Sequence, residues 1–412
     1  MLLMVTSVTA ASSSKIKGMS SSSSSNKKDD EGDRIHRVLK GDDGDKNSLY
    51  DQAVTDYCKP KVECGGVYYG VDIKLTSDLV CDTSYGGIYL EEGASLDCDG
   101  YTITGPGERD TERRWQFGIT VVQDGVTIKN CAVTNFKGKG GTFGENGNFG
   151  IAILDAGDVV MENVHVYDNT NGILAVGKNI ELQNSKIHNN DNDGIFMYEG
   201  SYNIGITNVD VRENGGNGII LTKNTGITIQ DSVFNENVIT GIYATTVEDI
   251  TITNVQALSN GKHGIAVRDS SSDIKIEHVM ANENLDSGIV LTEDSGIVLT
   301  KDVVNGMVTI HNVVTKDNDF GLVFNGSTSE DDVVTIKKVV STGNNVGIFG
   351  FYSDVDTMED IFACGNQKYD IGFDDVIIDN YEKEFICSTG FGCDQVTIEY
   401  KDKTECSDVC SA

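Results

Sequence analysis

The chain has 412 residues, with 64 acidic against 32 basic side chains and a formal net charge of −32. That balance argues against nucleic acid or an anionic lipid surface as the main partner, because both need a basic footprint. It equally disfavours unaided binding of uronate polysaccharides, unless divalent cations bridge the repulsion.

Residues 1–11 form an apolar run ending in small residues. Val8 and Ala10 suit a secretory cleavage site, so the segment reads as a signal peptide and the protein as secreted. Residues 12–48 contain a six-serine run and mixed charges, a composition too polar to build a core, and read as a low-complexity disordered segment. No stretch beyond the opening is long and apolar enough to span a membrane. Residues 49–117 read as an N-terminal cap with the first coils, 118–360 as β-helix repeats and 361–412 as a Cys-containing C-terminal cap. The ten cysteines fit that division. Cys58, Cys64, Cys81, Cys98 and Cys131 stand at the start, and Cys364, Cys387, Cys393, Cys406 and Cys410 at the end. The open ends of a solenoid expose core and strand edges, where covalent staples help most. An even count behind a leader-like start predicts disulfides and an oxidising compartment, with Cys98 and Cys131 bonded or within bonding reach.

Between these ends a Gly followed by an aliphatic residue recurs at Gly118, Gly150, Gly172, Gly194, Gly218, Gly241, Gly264, Gly288, Gly321 and Gly347. From Gly150 to Gly288 the interval is 22 to 24 residues, which holds short alternating apolar runs and no helical period. This is the pattern of a β-solenoid. Alternation places Ile151, Ile173, Ile195, Ile219, Ile242 and Ile265 in one buried column. A second run follows in each unit, such as Ile180/Leu182 and Ile227/Ile229, and ends two residues before Asn130, Asn163, Asn184, Asn208, Asp231, Asn254, His278 or Asn312. Another Asn row precedes the glycines: Asn169, Asn190, Asn214, Asn237, Asn260, Asn284, Asn318 and Asn344. Stacked coils lie about 4.8 Å apart, so these amides are expected to form ladders along the axis. The octapeptide at 287–294 is nearly duplicated at 295–302, which accounts for the long interval from Gly288 to Gly321; either copy suits the strand.

The GI-x-aliphatic starts, the V-x-I-x-N second strands and the opening coil from Leu96 through Cys98 and Tyr101 to Ile103 resemble the right-handed parallel β-helix family. This is the pectate-lyase-like superfold with short repeats of the NosD-like kind. The resemblance covers roughly residues 70 to 375. It implies an all-β, single-stranded right-handed parallel β-helix, with disulfide-rich caps at both ends expected from the cysteines. For function it implies less, because this superfold hosts lyases, hydrolases, epimerases and non-catalytic binders.

Candidate site residues lie on the outward positions of the first strands. Leu174, Phe196, Ile220 and Tyr243 head an apolar stripe continued by Val290, Val323 and Phe349, with Ala152 and Ala266 between. Such a stripe suits sugar stacking, a protein partner, or cover by the N-terminal segment. Arg113, Arg114 and Trp115 precede the first full repeat and are added as substrate-binding candidates. The insertion at 137–149 adds Lys137, Lys139, Phe143 and Phe149. An adjoining row holds Asp155, Tyr198, Glu199, Lys223, Arg268, Asp269 and Glu293. In catalytic members of the superfold, charged residues here hold Ca²⁺ and abstract a sugar proton. By that resemblance Asp155 and Glu199 are the calcium candidates, and Lys223, Arg268 and Tyr198 the catalytic ones. A solvated charged face is the plainer reading. Asn189, Asp191 and Asp193 carry half of a calcium-loop pattern and read as an Asx-rich corner. His165, His188 and Arg212 read as solvent-exposed polar residues of the following strand.

Several family motifs are missing: the Asp-Pro-His-Asp of alginate epimerases, the polygalacturonase set, and the Arg-x-Pro-x-x-Arg of pectate lyases. Pro60 and Pro106 are the only prolines. Met or Cys clusters of the kind that serve copper are absent from the repeats. The expected function is therefore a secreted β-helix that binds extracellular or cell-wall polysaccharide without catalysis. A polysaccharide lyase or uronate epimerase, and a structural protein-interaction module, stand as alternatives.

Overall fold

A computed structural model describes residues 61–381, apart from 82–85, 108–115, 139–146, 270, 293–303 and 326–332. The expected signal peptide, the low-complexity segment, Arg113, Arg114, Trp115, Lys139, Phe143, Glu293, and Cys58, Cys387, Cys393, Cys406 and Cys410 lie outside the described residues, as does most of the C-terminal cap. Every regular element among the described residues is a β-strand. The chain winds as a parallel β-solenoid of about 11 turns.

One coil shows the plan. Its first strand is Ile195–Met197, its second Tyr202–Thr207 and its third Asp210–Arg212. The next coil repeats it with Ile219–Thr222, Thr225–Gln230 and Val233–Asn235. Corresponding strands pair in parallel: Ile195 beside Ile219, Ile204 beside Ile227, Val211 beside Phe234. Ile151, Ile173, Ile195, Ile219, Ile242 and Ile265 stand side by side in one register and are all fully buried, as their spacing predicts. Each contributes about 1.5–3 kcal/mol by leaving water.

The two Asn rows do different work. Asn130, Asn163, Asn184, Asn208 and Asn254 adopt φ between 52° and 55°, the left-handed conformation of a tight corner. Their exposed amides link neighbouring coils, with Asn163 Nδ2 donating to Asn130 Oδ1 at 2.8 Å and Asn208 Nδ2 to Asn184 Oδ1 at 2.7 Å. The second row is buried. Asn190 Nδ2 donates to Asn214 Oδ1 at 2.9 Å, Asn214 Nδ2 to Asn237 Oδ1 at 3.0 Å, and Asn237 Nδ2 to Asn260 Oδ1 at 3.1 Å. Each oxygen also accepts the backbone N–H of the preceding ladder residue, as Asn214 Oδ1 does from Asn190 at 3.2 Å. The recurrent glycine sits against this ladder. A Cβ on Gly218 would lie 2.5 Å from Gly241 O and 2.9 Å from Asn237 Nδ2, so close approach, not chain reversal, excludes a side chain there.

Disulfides join Cys64 to Cys81 and Cys98 to Cys131, the second across neighbouring coils as expected. Cys364 differs from the expectation: it is a free, half-buried thiol. It ends the strand Phe362–Cys364, and the residue beside it on the preceding coil is Thr342, so among the described residues no cysteine faces it in register. The first octapeptide copy supplies the strand Ser287–Thr292, which lies between Ile265–Arg268 and Phe320–Asn325. The second copy falls outside the described residues.

Candidate functional site: the outer face of the first strands

On each first strand the residue two after the glycine faces away from the core. Parallel register lines these up as Ala152, Leu174, Phe196, Ile220, Tyr243, Ala266, Val290, Val323 and Phe349. They do not join the central core. Phe149, Ala152 and Leu174 form one outer cluster with Phe117, Leu154, Val176, Phe196 and Tyr198 against it. Ala266, Val290 and Val323 form another with Tyr243, Phe320 and Phe349. The stripe read from the sequence is thus two apolar patches, with Ile220 between them.

Exposure divides the candidates. Leu174 is buried, at 3% exposure, whereas Phe196, Ile220 and Tyr243 are half-buried. The Phe196 and Tyr198 rings stack at 5.9 Å with an interplanar angle of 26°. Phe196, Ile220 and Tyr243 therefore form an apolar platform over three coils, about 10 Å from end to end. Phe149 of the insertion is buried beside Phe117, with ring centroids 6.3 Å apart, and Lys137 pairs with Asp191 at 2.8 Å.

Polar side chains border the platform on both sides. On one, Asn217 donates to Asp193 Oδ1 from its backbone N at 2.7 Å and its Nδ2 at 3.0 Å, and Thr240 N donates to Asn217 Oδ1 at 3.2 Å. Burial raises the Asp193 carboxyl above its ordinary range, against those two donors, which lower it. Asn189, at φ 53°, and Asp193 thus belong to an Asx-rich corner, as read from the sequence. On the other side Lys223 Nζ lies 3.0 Å from Glu199 Oε1, and Thr245 Oγ1 donates to Asp269 Oδ2 at 2.6 Å.

At the Ala266 coil the pattern changes. Arg268 is only 9% exposed, not part of a solvated row, and its Nη2 meets His263 Nε2 at 3.1 Å. Both flank Ala266, where the stripe has no large side chain, and Ala266 is fully buried. Burial, more than any charge, pushes the His263 imidazole down to about 4; Arg268 and Lys262 add to this and Asp286 opposes it. The sequence reading missed His263, because the position before the glycine holds Phe149, Asn171, Asp193, Asn217, Thr240 and Ser287 in turn and shows no repeated chemistry. The available signal was an Arg five residues after a His, around the one small residue on that side of the stripe.

The calcium candidates are not brought together. The register slips between Leu154 and Ala156, so Asp155 is an extra corner residue with φ 56° and no partner on the next coil. Gly177 fills the intervening coil, and Glu199, one coil further, is engaged by Lys223. Among the described residues no group of three or more His, Cys, Asp or Glu is placed to hold a metal ion.

Parallel coils of three strands, an inward aliphatic column and a buried Asn ladder define a parallel β-solenoid. The profile of the right handed beta helix region matches residues 67–224 and 197–360, so the chain belongs to the right-handed β-helix family. No curated protein matches it. Among solved structures, the A-module of the Azotobacter vinelandii mannuronan C-5 epimerase AlgE6 is 13% identical, over 80% of this chain and 93% of that one, with a TM-score of 0.44. An alginate lyase from Paenibacillus sp. str. FPU-7 is 15% identical over 79% and 95%, with a TM-score of 0.29. The DFA-IIIase of Arthrobacter chlorophenolicus A6 is 13% identical over 81% and 86%, with a TM-score of 0.36. At these values no chemistry transfers to this chain.

Proposed function

We propose that the protein is a secreted, non-catalytic β-helix that binds an uncharged extracellular polysaccharide along its first-strand face. The observation that carries this reading is the Phe196–Ile220–Tyr243 platform bordered by Asn217, Glu199 and Thr245. Sugars present apolar C–H faces and equatorial hydroxyls, and a flat apolar strip with hydrogen-bonding edges matches both. A parallel solenoid offers that strip repeatedly along a line, which suits a polymer. The net charge of −32 and the acidic borders favour a neutral chain over a uronate chain, so calcium has no part in this reading. Disulfides at the first coils support an oxidising compartment.

Catalysis is less well supported. Lys223 is engaged by Glu199 and Arg268 by His263, so neither offers a poised base. Affinity electrophoresis through gels of neutral glucans, mannans, galactans and polygalacturonate tests the reading. Retardation by at least one neutral polymer is expected, with loss in Phe196→Ala and Tyr243→Ala. Free migration in every neutral gel, or retardation that both variants retain, refutes it. Appearance of unsaturated uronate absorbance would establish a lyase instead.

A further inference from the structure

The third sheet, on a different side of the coil from the platform, carries an arrangement with chemistry of its own. His165 opens the strand His165–Tyr167 and His188 closes the strand Lys186–His188 of the next coil. Parallel register sets His165 beside Lys186 and Tyr167 beside His188, so the two histidines are diagonal neighbours. Val166 and Ile187 take the inward positions and are fully buried, which turns both imidazoles outward. There the two Nε2 atoms meet in direct contact, with ring centroids 4.7 Å apart. Tyr167 closes one flank, 4.5 Å from the His165 ring and stacked on His188 at 5.5 Å and 11°. These residues are half-buried and packed, not the freely solvated side chains that their types suggest.

We propose that His165 Nε2 and His188 Nε2 together form an open, two-nitrogen site for a late first-row divalent transition-metal ion.

Four observations support it. First, the orientation is that of ligands. His188 Nδ1 is occupied by the Asn189 side chain at 3.0 Å, which leaves Nε2 as the nitrogen directed at His165. The amide Nδ2 stands against Nδ1 in this structure; a half-turn of the Asn189 amide, which exchanges its nitrogen and oxygen in place, brings the oxygen there, so that Nδ1 carries the proton and Nε2 the lone pair, the arrangement that an outer hydrogen bond imposes on metal-bound histidine. Second, the rings are held in place: Tyr167 packs against both, and the core residues Val166 and Ile187 anchor the two strands, so little ordering is needed to bring the nitrogens together.

Third, the local field favours a cation. Asp168, Asp210 and Glu213 face Lys186 and Arg212, and the Arg212 guanidinium is spent on Asp210. Fourth, the donor set selects the metal. Two imidazoles exclude hard Ca²⁺ and Mg²⁺, which take oxygen ligands, and favour Cu²⁺, Ni²⁺ and Zn²⁺. With no third protein ligand among the described residues, water or an incoming ligand completes the shell, unlike a closed structural zinc site.

The test titrates the full chain with CuCl₂ and ZnCl₂ by calorimetry, and records the electron paramagnetic resonance spectrum of the Cu²⁺ form. One ion per chain is expected at this site, with nitrogen hyperfine splitting from two imidazoles. His165→Gln and His188→Gln should each weaken binding by at least about tenfold. The other histidine pair on neighbouring coils, His278 and His311, meets edge-on at 5.8 Å and serves as the control. The double variant His278→Gln/His311→Gln should bind as the wild type does. Equal isotherms for wild type and the His165 and His188 variants overturn the proposal, as does loss of binding in the control variant alone. If the single variants fail to fold, the wild-type spectrum decides: a spectrum without two-nitrogen splitting overturns it.

Discussion

Arg268 and His263 meet at 3.1 Å on the outer face of a fully buried Ala266, and the contact fixes His263 as a neutral acceptor. Arg268 donates, so the imidazole Nε2 keeps its lone pair. A consequence for pH follows. The folded His263 sits at about 4, below the ordinary value of 6.5. Between those values the unfolded chain takes up a proton that the folded chain refuses. Stability should therefore be full above pH 6.5 and fall as pH drops towards 4, by up to about 3 kcal/mol from this group. Urea unfolding at pH 7 and pH 4.5 should show a smaller pH loss in His263→Gln than in the wild type. Equal losses in the two proteins contradict this account.

The glycine column predicts a steep penalty for one methyl group. Gly218→Ala drives a Cβ into Gly241 O, part of the neighbouring coil's backbone ladder, and into Asn237 Nδ2, part of the buried Asn ladder. A loss of about 1–3 kcal/mol is expected, typical of overpacking. Gly205 is the comparison, since a Cβ there meets only Glu181 Cγ at 3.9 Å. Gly205→Ala should leave the urea midpoint unchanged or raise it.

Truncating the buried ladder should cost more than a single hydrogen bond. Asn214 accepts from the backbone and side chain of Asn190, and donates to Ile187 O and Asn237 Oδ1. Asn214→Ala strands several of those partners away from water, each at about 1–3 kcal/mol. The exposed Asn208→Ala, which removes one amide contact and a favourable corner residue, should cost about 1 kcal/mol. A larger loss at Asn208 than at Asn214 would overturn the assignment of the buried row as the stabilising ladder.

Thr246 holds φ 53°, a left-handed corner that a β-branched side chain tolerates poorly. Its counterpart one coil on is Asp269, at the same φ. Thr246→Asn should raise stability by about 1 kcal/mol, measured as an upward shift of the thermal midpoint. A lower midpoint would mean that the threonine side chain makes a contact worth more than the strain.

The Cys98–Cys131 bridge closes a 33-residue interval between neighbouring coils. In the chain-entropy description its loss costs about 4 kcal/mol. Cys98→Ser/Cys131→Ser should lower the thermal midpoint and expose the first coils to proteolysis before the central ones. Simultaneous loss of all coils would show that the solenoid unfolds as one unit, not from its end.

The repeat alone determined the architecture. A Gly-Ile start every 22 to 24 residues with period-two apolar runs can bury its aliphatic face only by stacking on itself, so Ile195 and its column were legible residue by residue. The Asn rows were legible as ladders for the same reason, because a residue recurring in every coil must meet its own kind above and below. What the repeat could not reveal is anything that breaks it. Leu174 and Phe196 occupy equivalent positions, yet one is buried and the other half-exposed, because neighbours off the repeat decide what covers each. Arg268 read as a surface charge until folding set it beside His263 across a small residue. Asp155 and Glu199 stand two units apart in the repeat, and only the fold shows the register slip that leaves Asp155 outside the ladder as well. His165 and His188, 23 residues apart and at different offsets within their units, meet only because side chains on neighbouring coils reach diagonally. Periodicity fixes the backbone through interactions that every coil repeats, whereas a site depends on single side chains, and only the tertiary structure decides which of those touch.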